Sequence, residues 1–234
     1  MISNELILSR YKNGIQLLPP DSCPEKTQLS VETIFKQPFS IYFVNEHYGL
    51  SKINSTCAAN CQFDSESSAV GKIASDFLSK ESAHFAVEAD KIAMQDRTIN
   101  ILEHQLEHSD GTHYQYLTIK SPLYQEHKIV GVFGCSIVLG KHPLARALQC
   151  ISELGLLNSN VVHPGVNPLS KQQLAVAKLV ITGLTAKEIG QQLGLSYRTV
   201  EFYLYHLKNK LGCQNKTDLL FKLKKLVEVN DSFQ

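Results

Sequence analysis

The residues best suited to chemistry form a polar and aromatic group on one side of a predicted helix over residues 197–211. Four apolar residues at helical spacing predict its buried side, namely Val200, Leu204, Leu207 and Leu211. In a DNA major groove, glutamate can accept from cytosine, asparagine can pair with adenine, and phenylalanine can contact thymine methyl groups. Two interpretations explain the opposite, polar side about equally well: base recognition, or an ordinary surface helix that happens to carry two aromatic residues. The residues of this side are Glu201, Phe202, Tyr205, Lys208 and Asn209.

The residues just before this helix predict the elements that position it. Thr185 and Glu188 have the spacing of a capping box at the start of a helix over Ala186–Leu193. Gly194 stands where a helix end favours a left-handed residue, and Ser196 can cap the next helix. A short and a long helix joined by a three- or four-residue connection with glycine predict a helix-turn-helix.

Two further helices are predicted to complete this region. One opens at Leu169-Ser170 and ends at Gly183, and the other starts at Asn215 or Thr217. Each carries apolar residues at helical spacing, so we expect an all-α four-helix domain over residues 168–234. The apolar residues are Leu174, Ala177, Val180 and Ile181 in the first helix and Leu219, Leu220, Leu223 and Leu226 in the second.

With these helices in place, the sequence resembles the DNA-binding domain of LuxR/FixJ-type regulators over roughly Pro168–Leu226. The resemblance implies that Lys187, Thr199 and Lys210 contact phosphates, which supply affinity and register. It also implies that Arg198 contacts backbone or base, that Glu201, Phe202 and Tyr205 face bases, and that Lys208 belongs to the same surface. The matching residues are Leu169, Ser170, Gly183, Leu184, Lys187, Glu188, Ile189, Leu193, Ser196, Thr199, Val200, Tyr203, Lys210 and Leu211.

Residues 39–140 predict an α+β domain with one antiparallel sheet and helices on one face. Strands are predicted over Phe39–Val44, Lys52–Ile53, Thr98–Glu107, His113–Ser121 and Ile129–Leu139. Between them lie short helical segments and a longer helix, Ala83–Gln95, capped by Ser82. The segments FSIYFVN, VGK, DGT, TIKSPL and IVGVFGCSIV make this region similar to a PAS sensor domain. A GAF-like sensor is the nearest rival.

The remaining segments connect these domains. Residues 1–38 are predicted to be an N-terminal extension. Residues 141–167 are predicted to be a connecting helix and linker, with the proline- and asparagine-rich Asn158–Pro168 as the linker itself. The apolar residues of the helix fit a short coiled coil or docking on the sensor sheet. They are Leu144, Leu148, Ile151 and Leu154.

The charge distribution agrees with nucleic-acid binding at one end of the chain. The net charge of the 234 residues is +1, but residues 164–234 hold 10 Lys and Arg against 5 Asp and Glu, whereas residues 1–163 are acidic. The six cysteines form no zinc pattern and are predicted to be free thiols. The N-terminus has no signal-peptide pattern, and no apolar run is long enough to span a membrane, so we expect a cytoplasmic protein without membrane contact.

A PAS-like pocket can hold haem, flavin, a small acid or nothing, so the cofactor is unknown. His84 is the candidate haem ligand, although an unliganded histidine is the better interpretation. The run Asn60-Cys61-Gln62-Phe63 partly matches a photoreactive flavin motif, with Gln62 in place of arginine. Cys57 and Cys61 are more readily two buried thiols than a redox pair. His104 and His108 would lie about 13 Å apart along a strand, too far for one metal ion, so exposed hairpin histidines are predicted there, with nearby His113.

These features predict a bacterial transcription regulator that binds double-stranded DNA as a homodimer and senses a small molecule or a protein partner. A receiver domain is disfavoured because the chain lacks its acidic cluster, and an acyl-homoserine-lactone receptor because it has no tryptophan. No catalytic motif supports an enzyme. The alternative is an anti-regulator with a degenerate DNA-binding domain, which Glu201 favours because phosphates repel its carboxylate.

Overall fold

The computed structural model describes residues 2–22, 29–156, 171–213 and 215–231, and it divides the chain into two compact units, Met1–Ser159 and Asn160–Gln234. The predicted linker and the predicted helix start at Leu169-Ser170 lie outside the described residues. No described helix combines the length and the apolar character needed to cross a lipid bilayer.

The first unit is built on one sheet of eight strands. Strands β3, β1, β2, β7, β8, β4 and β5 lie side by side in that order, and β6 pairs with the first part of β7. All pairs are antiparallel except the short pairing of β2 with the end of β7. The strands are β1 (Ile7–Tyr11), β2 (Gly14–Leu18), β3 (Leu29–Ser30), β4 (Ser40–Asn45), β5 (Leu50–Ile53), β6 (Asn100–Glu107), β7 (His113–Gln125) and β8 (Lys128–Val138).

Among the described residues of this unit, four α-helices accompany the sheet: α1 (Val31–Phe35), α2 (Ser55–Asn60), α3 (Lys80–Asp96) and α4 (Leu144–Glu153). The predicted PAS-like arrangement of an antiparallel sheet with helices on one face is confirmed for α2 and α3. The predicted cap of the long helix at Ser82 is wrong. Ser79 caps α3 by accepting from the backbone amide of Ser82, and the Ser82 hydroxyl instead accepts from the Glu107 amide.

The segment predicted as an N-terminal extension contributes strands β1–β3 to the sheet. This pairing is not predicted from the sequence. Leu8 and Ile15 are fully buried, and the backbone amide of Val31 donates to the Leu6 carbonyl. These residues therefore belong to the fold of the first unit rather than trailing from it.

Alternation along β4 and β8 gives the sheet two different faces. Phe43, Phe133 and Cys135 point to one face and join a core with the β1–β2 hairpin and α4. Tyr42 and Val132 point to the other face, where α2 and α3 pack. The second face is where the sheet and helices leave space for a cavity.

The described part of the second unit contains four helices, as predicted. The helix-turn-helix elements confirm the predicted local signals: Thr185 and Glu188 form a capping box, and Gly194 is left-handed with a φ of 66°. Gly190 matters for the turn, because a Cβ atom there would lie 2.7 Å from the Leu195 carbonyl oxygen. The helices are α5 (Lys171–Ile181), α6 (Ala186–Leu193), α7 (Tyr197–Lys210) and α8 (Lys216–Asp231).

Candidate DNA-binding surface and sensor cavity

Helix α7 is fixed at its start by a side-chain cap. Ser196 Oγ accepts from the Thr199 backbone amide at 3.0 Å, and the two hydroxyl groups lie 2.7 Å apart. Thr199 is therefore engaged in the cap, and its predicted phosphate contact stays a prediction. At the other end, the Cys213 amide donates to the Lys208 carbonyl at 2.8 Å.

The inner side of α7 is packed away from water. Val200 and Leu207 are fully buried, and Tyr203 is 1% exposed on an adjacent part of the helix surface. In the sequence, Tyr203 is marked only as one of the residues that match the LuxR/FixJ-type pattern. Its phenol ring is one of the largest fully buried side chains of the described residues, so this position serves packing.

The predicted DNA-contacting residues differ in exposure. Lys187, Arg198 and Glu201 are exposed, whereas Tyr205 and Lys208 are half-buried. These positions are compatible with a contact surface formed by α6 and α7. The side chain of Lys210, the remaining candidate, lies outside the description.

Phe202 requires a correction. It was predicted on an open, base-facing surface, but only 5% of the residue is exposed. A large apolar ring gains free energy by leaving water, which explains why the open position is disfavoured. Contact between Phe202 and a base would first require the ring to be uncovered.

The first unit contains a cavity of about 80 Å³ between the sheet, α2 and α3. This volume has room for on the order of six water molecules, which corresponds to a compact organic molecule. Most lining side chains are apolar or aromatic, and they include Leu50, Phe77, Phe85, Leu102 and Leu106.

A chain of hydrogen bonds crosses the sheet side of this cavity. His104 Nε2 lies 3.0 Å from Thr118 Oγ1, which lies 3.0 Å from Ser136 Oγ, and Ser136 Oγ lies 3.1 Å from the Tyr42 hydroxyl. Gly134 permits this arrangement, because a side chain there would collide with the Tyr42 ring. All four linked side chains line the cavity, so they form its polar wall.

A buried ion pair also lines the cavity. Lys120 Nζ lies 2.6 Å from Asp90 Oδ1 and donates to the Ala86 carbonyl at 2.9 Å. The two side chains are 6% and 7% exposed. Burial raises the pKa of Asp90, and the neighbouring Lys120 ammonium opposes that shift. The pair is thus almost removed from solvent, where loss of either partner would leave an uncompensated charge.

The prediction that His104 and His108 are exposed is wrong. His104 is 7% exposed and His108 is 3% exposed, and both line the cavity. His108 Nε2 lies 2.9 Å from the Tyr116 hydroxyl, and burial lowers the His108 pKa. The cause is that α2 and α3 cover the face of β6 and β7 to which these rings point, whereas His113 on the turn side stays about half exposed.

Only some of the other candidate cofactor residues lie at the cavity. Cys57, Asn60 and Cys61 line the cavity, and His84 does not. A hydrogen bond with Cys61 and burial raise the pKa of the Cys57 thiol, which therefore stays protonated near neutral pH. Within the described ranges, no three His, Cys, Asp or Glu side chains are grouped to hold a metal ion.

Comparison with known proteins addresses mainly the second unit. Residues 167–222 match the family described as bacterial regulatory proteins, luxR family. The transcriptional regulatory protein UhpA of Salmonella typhimurium is 37% identical over 57 residues, covering 24% of this chain and 29% of UhpA. The oxygen regulatory protein NreC of Staphylococcus aureus is 40% identical over 58 residues, covering 24% of this chain and 27% of NreC. The chain therefore spans less than a third of the length of these curated relatives.

Solved structures provide a weaker likeness over more of the chain. A structure of VqmA bound to DPO has a TM-score of 0.44 and 15% identity, and the match covers 83% of this chain and 85% of that one. The PAS domain of a protein from Colwellia psychrerythraea has a TM-score of 0.39 and 16% identity, covering 44% and 87% of the two chains. Likenesses at this level support no functional argument.

Proposed function

We propose, from the premise that the second unit carries a luxR-family helix-turn-helix domain, that this protein is a bacterial transcription regulator with a PAS-like sensor domain. It binds double-stranded DNA as a homodimer, because one recognition helix contacts few base pairs and paired half-sites about 34 Å apart multiply specificity. Its place is the cytoplasm, where bacterial promoters lie. Catalysis is not part of this function.

The proposal of DNA binding rests on the difference in burial between the two sides of α7. Val200 and Leu207 are fully buried, whereas Arg198 and Glu201 are exposed, and Lys187 is exposed on the preceding helix. In this proposal, the two cations neutralise phosphates and hold the register of α7. Tyr205 and Glu201 then contact base edges and select the sequence.

The sensor cavity favours an uncharged ligand. Among the described residues lining it, Asp90 and Lys120 pair with each other at 2.6 Å, so neither presents an unpaired charge to the cavity. A charged ligand would enter this space without a counter-ion, and its desolvation would be costly. An uncharged molecule of about five non-hydrogen atoms fits the volume and can bond to the polar wall.

The alternative function is a protein-binding anti-regulator that has lost DNA recognition. Glu201 supports it, because an exposed carboxylate near phosphates weakens binding. The exposed cations Lys187 and Arg198 favour DNA binding over this alternative.

A pair of substitutions tests the proposal. Lys187→Ala should weaken binding to all duplexes and reduce the slope of log affinity against log salt by about 0.9, since one phosphate contact is lost. Tyr205→Ala should instead change which sequences are preferred. Fluorescence anisotropy titrations at several salt concentrations measure the first effect, and selection from random duplexes measures the second.

Lys72→Ala is the matched control. Lys72 is an exposed lysine of the first unit, so its removal changes net charge equally without touching α6 or α7. If Lys187→Ala and Lys72→Ala have the same effect and Tyr205→Ala leaves the preference unchanged, the proposed surface is wrong.

A further inference from the structure

Asn60 links the sensor cavity to the residues that precede α4. It is the last residue of α2, is 6% exposed and lines the cavity. Its Nδ2 atom donates to Ser40 Oγ at 2.9 Å, and Ser40 also lines the cavity. Its Oδ1 atom accepts from Lys141 Nζ at 2.9 Å, while Nδ2 lies 3.1 Å from His142 Nε2. One carboxamide group therefore touches both the cavity and the chain leading into α4.

The hydrogen-bonding groups around Asn60 cannot all be satisfied together. His142 Nδ1 accepts from the Val138 backbone amide at 3.0 Å, so a neutral His142 ring carries its proton on Nε2. Burial lowers the pKa of His142, which keeps the ring neutral near pH 7. The Nε2 proton then faces the NH₂ group of Asn60, and two donors do not bond to each other.

A second orientation of the carboxamide exchanges these partners. With Oδ1 turned toward His142, it accepts from His142 Nε2 and from the Ser40 hydroxyl, and the NH₂ group faces Lys141 instead. Lys141 is exposed, with its ammonium 5.4 Å from the centre of the Tyr114 ring, so it can move into solvent. The two orientations thus bond different residues at the start of the connection to α4.

We propose that Asn60 is a positioning residue whose two carboxamide orientations transmit the state of the cavity to α4. This inference rests on the proposed function in that the cavity takes a ligand. A ligand that accepts the Ser40 hydroxyl proton leaves Ser40 Oγ free only to accept from the Asn60 NH₂ group, which favours the Lys141-bonded arrangement. A ligand that donates to Ser40 Oγ turns the hydroxyl proton toward Asn60 Oδ1, which favours the His142-bonded arrangement. Because the two arrangements are discrete, a small change at the cavity selects one of them.

The connection reaches the opposite face of the sheet within a few residues. The backbone amides of Lys141 and His142 both donate to the Val138 carbonyl, and Pro143 stands directly before α4. Helix α4 buries Cys150 and Ile151 against the face opposite the cavity. A change at residues 141–142 therefore acts at the start of the helix that precedes the second unit in the sequence.

A double-mutant cycle on the full chain tests this inference without a known ligand. Ala89→Leu fills part of the cavity, because Ala89 is fully buried and lines it. Asn60→Asp supplies a carboxylate that accepts from Ser40, Lys141 and His142 at once, which locks a single arrangement. Hydrogen-exchange mass spectrometry then compares exchange in α4 across the four combinations, after circular dichroism has shown that each variant is folded.

Ala89→Leu should change exchange in α4 by about twofold or more when Asn60 is present, and by clearly less in the Asn60→Asp background. Exchange in the β1–β2 hairpin, Ile7–Leu18, should stay constant. An equal response in both backgrounds, or no response with Asn60 present, would overturn the inference. If Asn60→Asp fails to fold, Ser40→Ala takes its place in the cycle, because it removes the hydroxyl partner. DNA is absent, so a failure of DNA binding leaves this result unchanged.

Discussion

The cavity of the first unit and the helix-turn-helix surface treat charged side chains in opposite ways. In the cavity, Asp90 and Lys120 are withdrawn from water and paired at 2.6 Å. In the helix-turn-helix domain, Lys187, Arg198 and Glu201 stay exposed. A pair that neutralises itself leaves the cavity suited to uncharged molecules, whereas exposed cations remain available to a polyanion. Burial, rather than residue type, therefore decides which charges act on a partner.

Breaking the buried pair should have the largest effect. Lys120→Ala should destabilise the first unit by about 3–5 kcal/mol, because Asp90 would stay buried without its counter-ion. Urea unfolding followed by circular dichroism measures the loss. The double variant Asp90→Leu/Lys120→Met is the control, and it should be more stable than Lys120→Ala because both charges are gone. A Lys120→Ala protein as stable as the wild type would show that the pair is not effectively buried.

Truncating a core side chain of the second unit should lower the free energy of unfolding by a similar amount, but only in that unit. Leu207 is fully buried, so Leu207→Ala should cost about 2–5 kcal/mol through lost packing and a cavity. Hydrogen exchange should increase in α5–α8 and stay unchanged in the sheet. Increased exchange throughout the sheet would contradict the separation into two units.

The uncharged character of the cavity predicts a difference between two ligands of the same shape. Propionamide should shift the amide NMR signals of cavity-lining residues at millimolar concentration, whereas propionate should bind about tenfold more weakly or not at all, because its charge lacks a counter-ion. Ala89→Phe is the control and should abolish the propionamide shifts. Tighter binding of propionate than propionamide would refute an uncharged-ligand site.

Acid should produce the smallest effect, through exposed carboxylates at turns and caps. Hydrogen bonds from Thr112 and Gln62 lower the pKa of Asp110 from 3.8 to about 2, and hydrogen bonds with Thr185 lower that of Glu188. Both pKa values are lower in the folded chain than in the unfolded chain. The two carboxylates therefore stabilise the fold at pH values above the unfolded pKa, and this stabilisation is lost as pH falls through the folded pKa. Asp110→Asn should therefore flatten the pH dependence of unfolding between about pH 4 and 2. An unchanged profile would contradict the assigned hydrogen bonds.

The helix-turn-helix could be predicted closely because its signals are local. The helix ends are set by contacts between residues close in sequence, so the sequence alone predicts where the helices begin and end. The residues concerned are Thr185, Glu188, Gly194 and Ser196. The exposure of Phe202 could not be predicted in this way. Helical spacing gives the direction of a side chain but not what covers it.

The strand pairing and burial in the first unit were harder to predict, because the residues in contact are far apart in the sequence. The pairing of β2 with β7 joins Ile15 to Leu123, and no short pattern signals it. The burial of His104 and His108 has the same origin. Strand alternation assigns them to one face, but only the position of α2 and α3 makes that face the interior.

DNA recognition is tested most sharply by selecting bound sequences from a pool of random duplex DNA with the 234-residue chain. We expect enrichment of a two-fold symmetric motif with half-sites about ten base pairs apart, centre to centre. We also expect that Lys187→Ala lowers recovery of the same motif without changing it. No enriched motif, with recovery equal to that of an unrelated protein, would contradict DNA recognition and leave the anti-regulator as the better account.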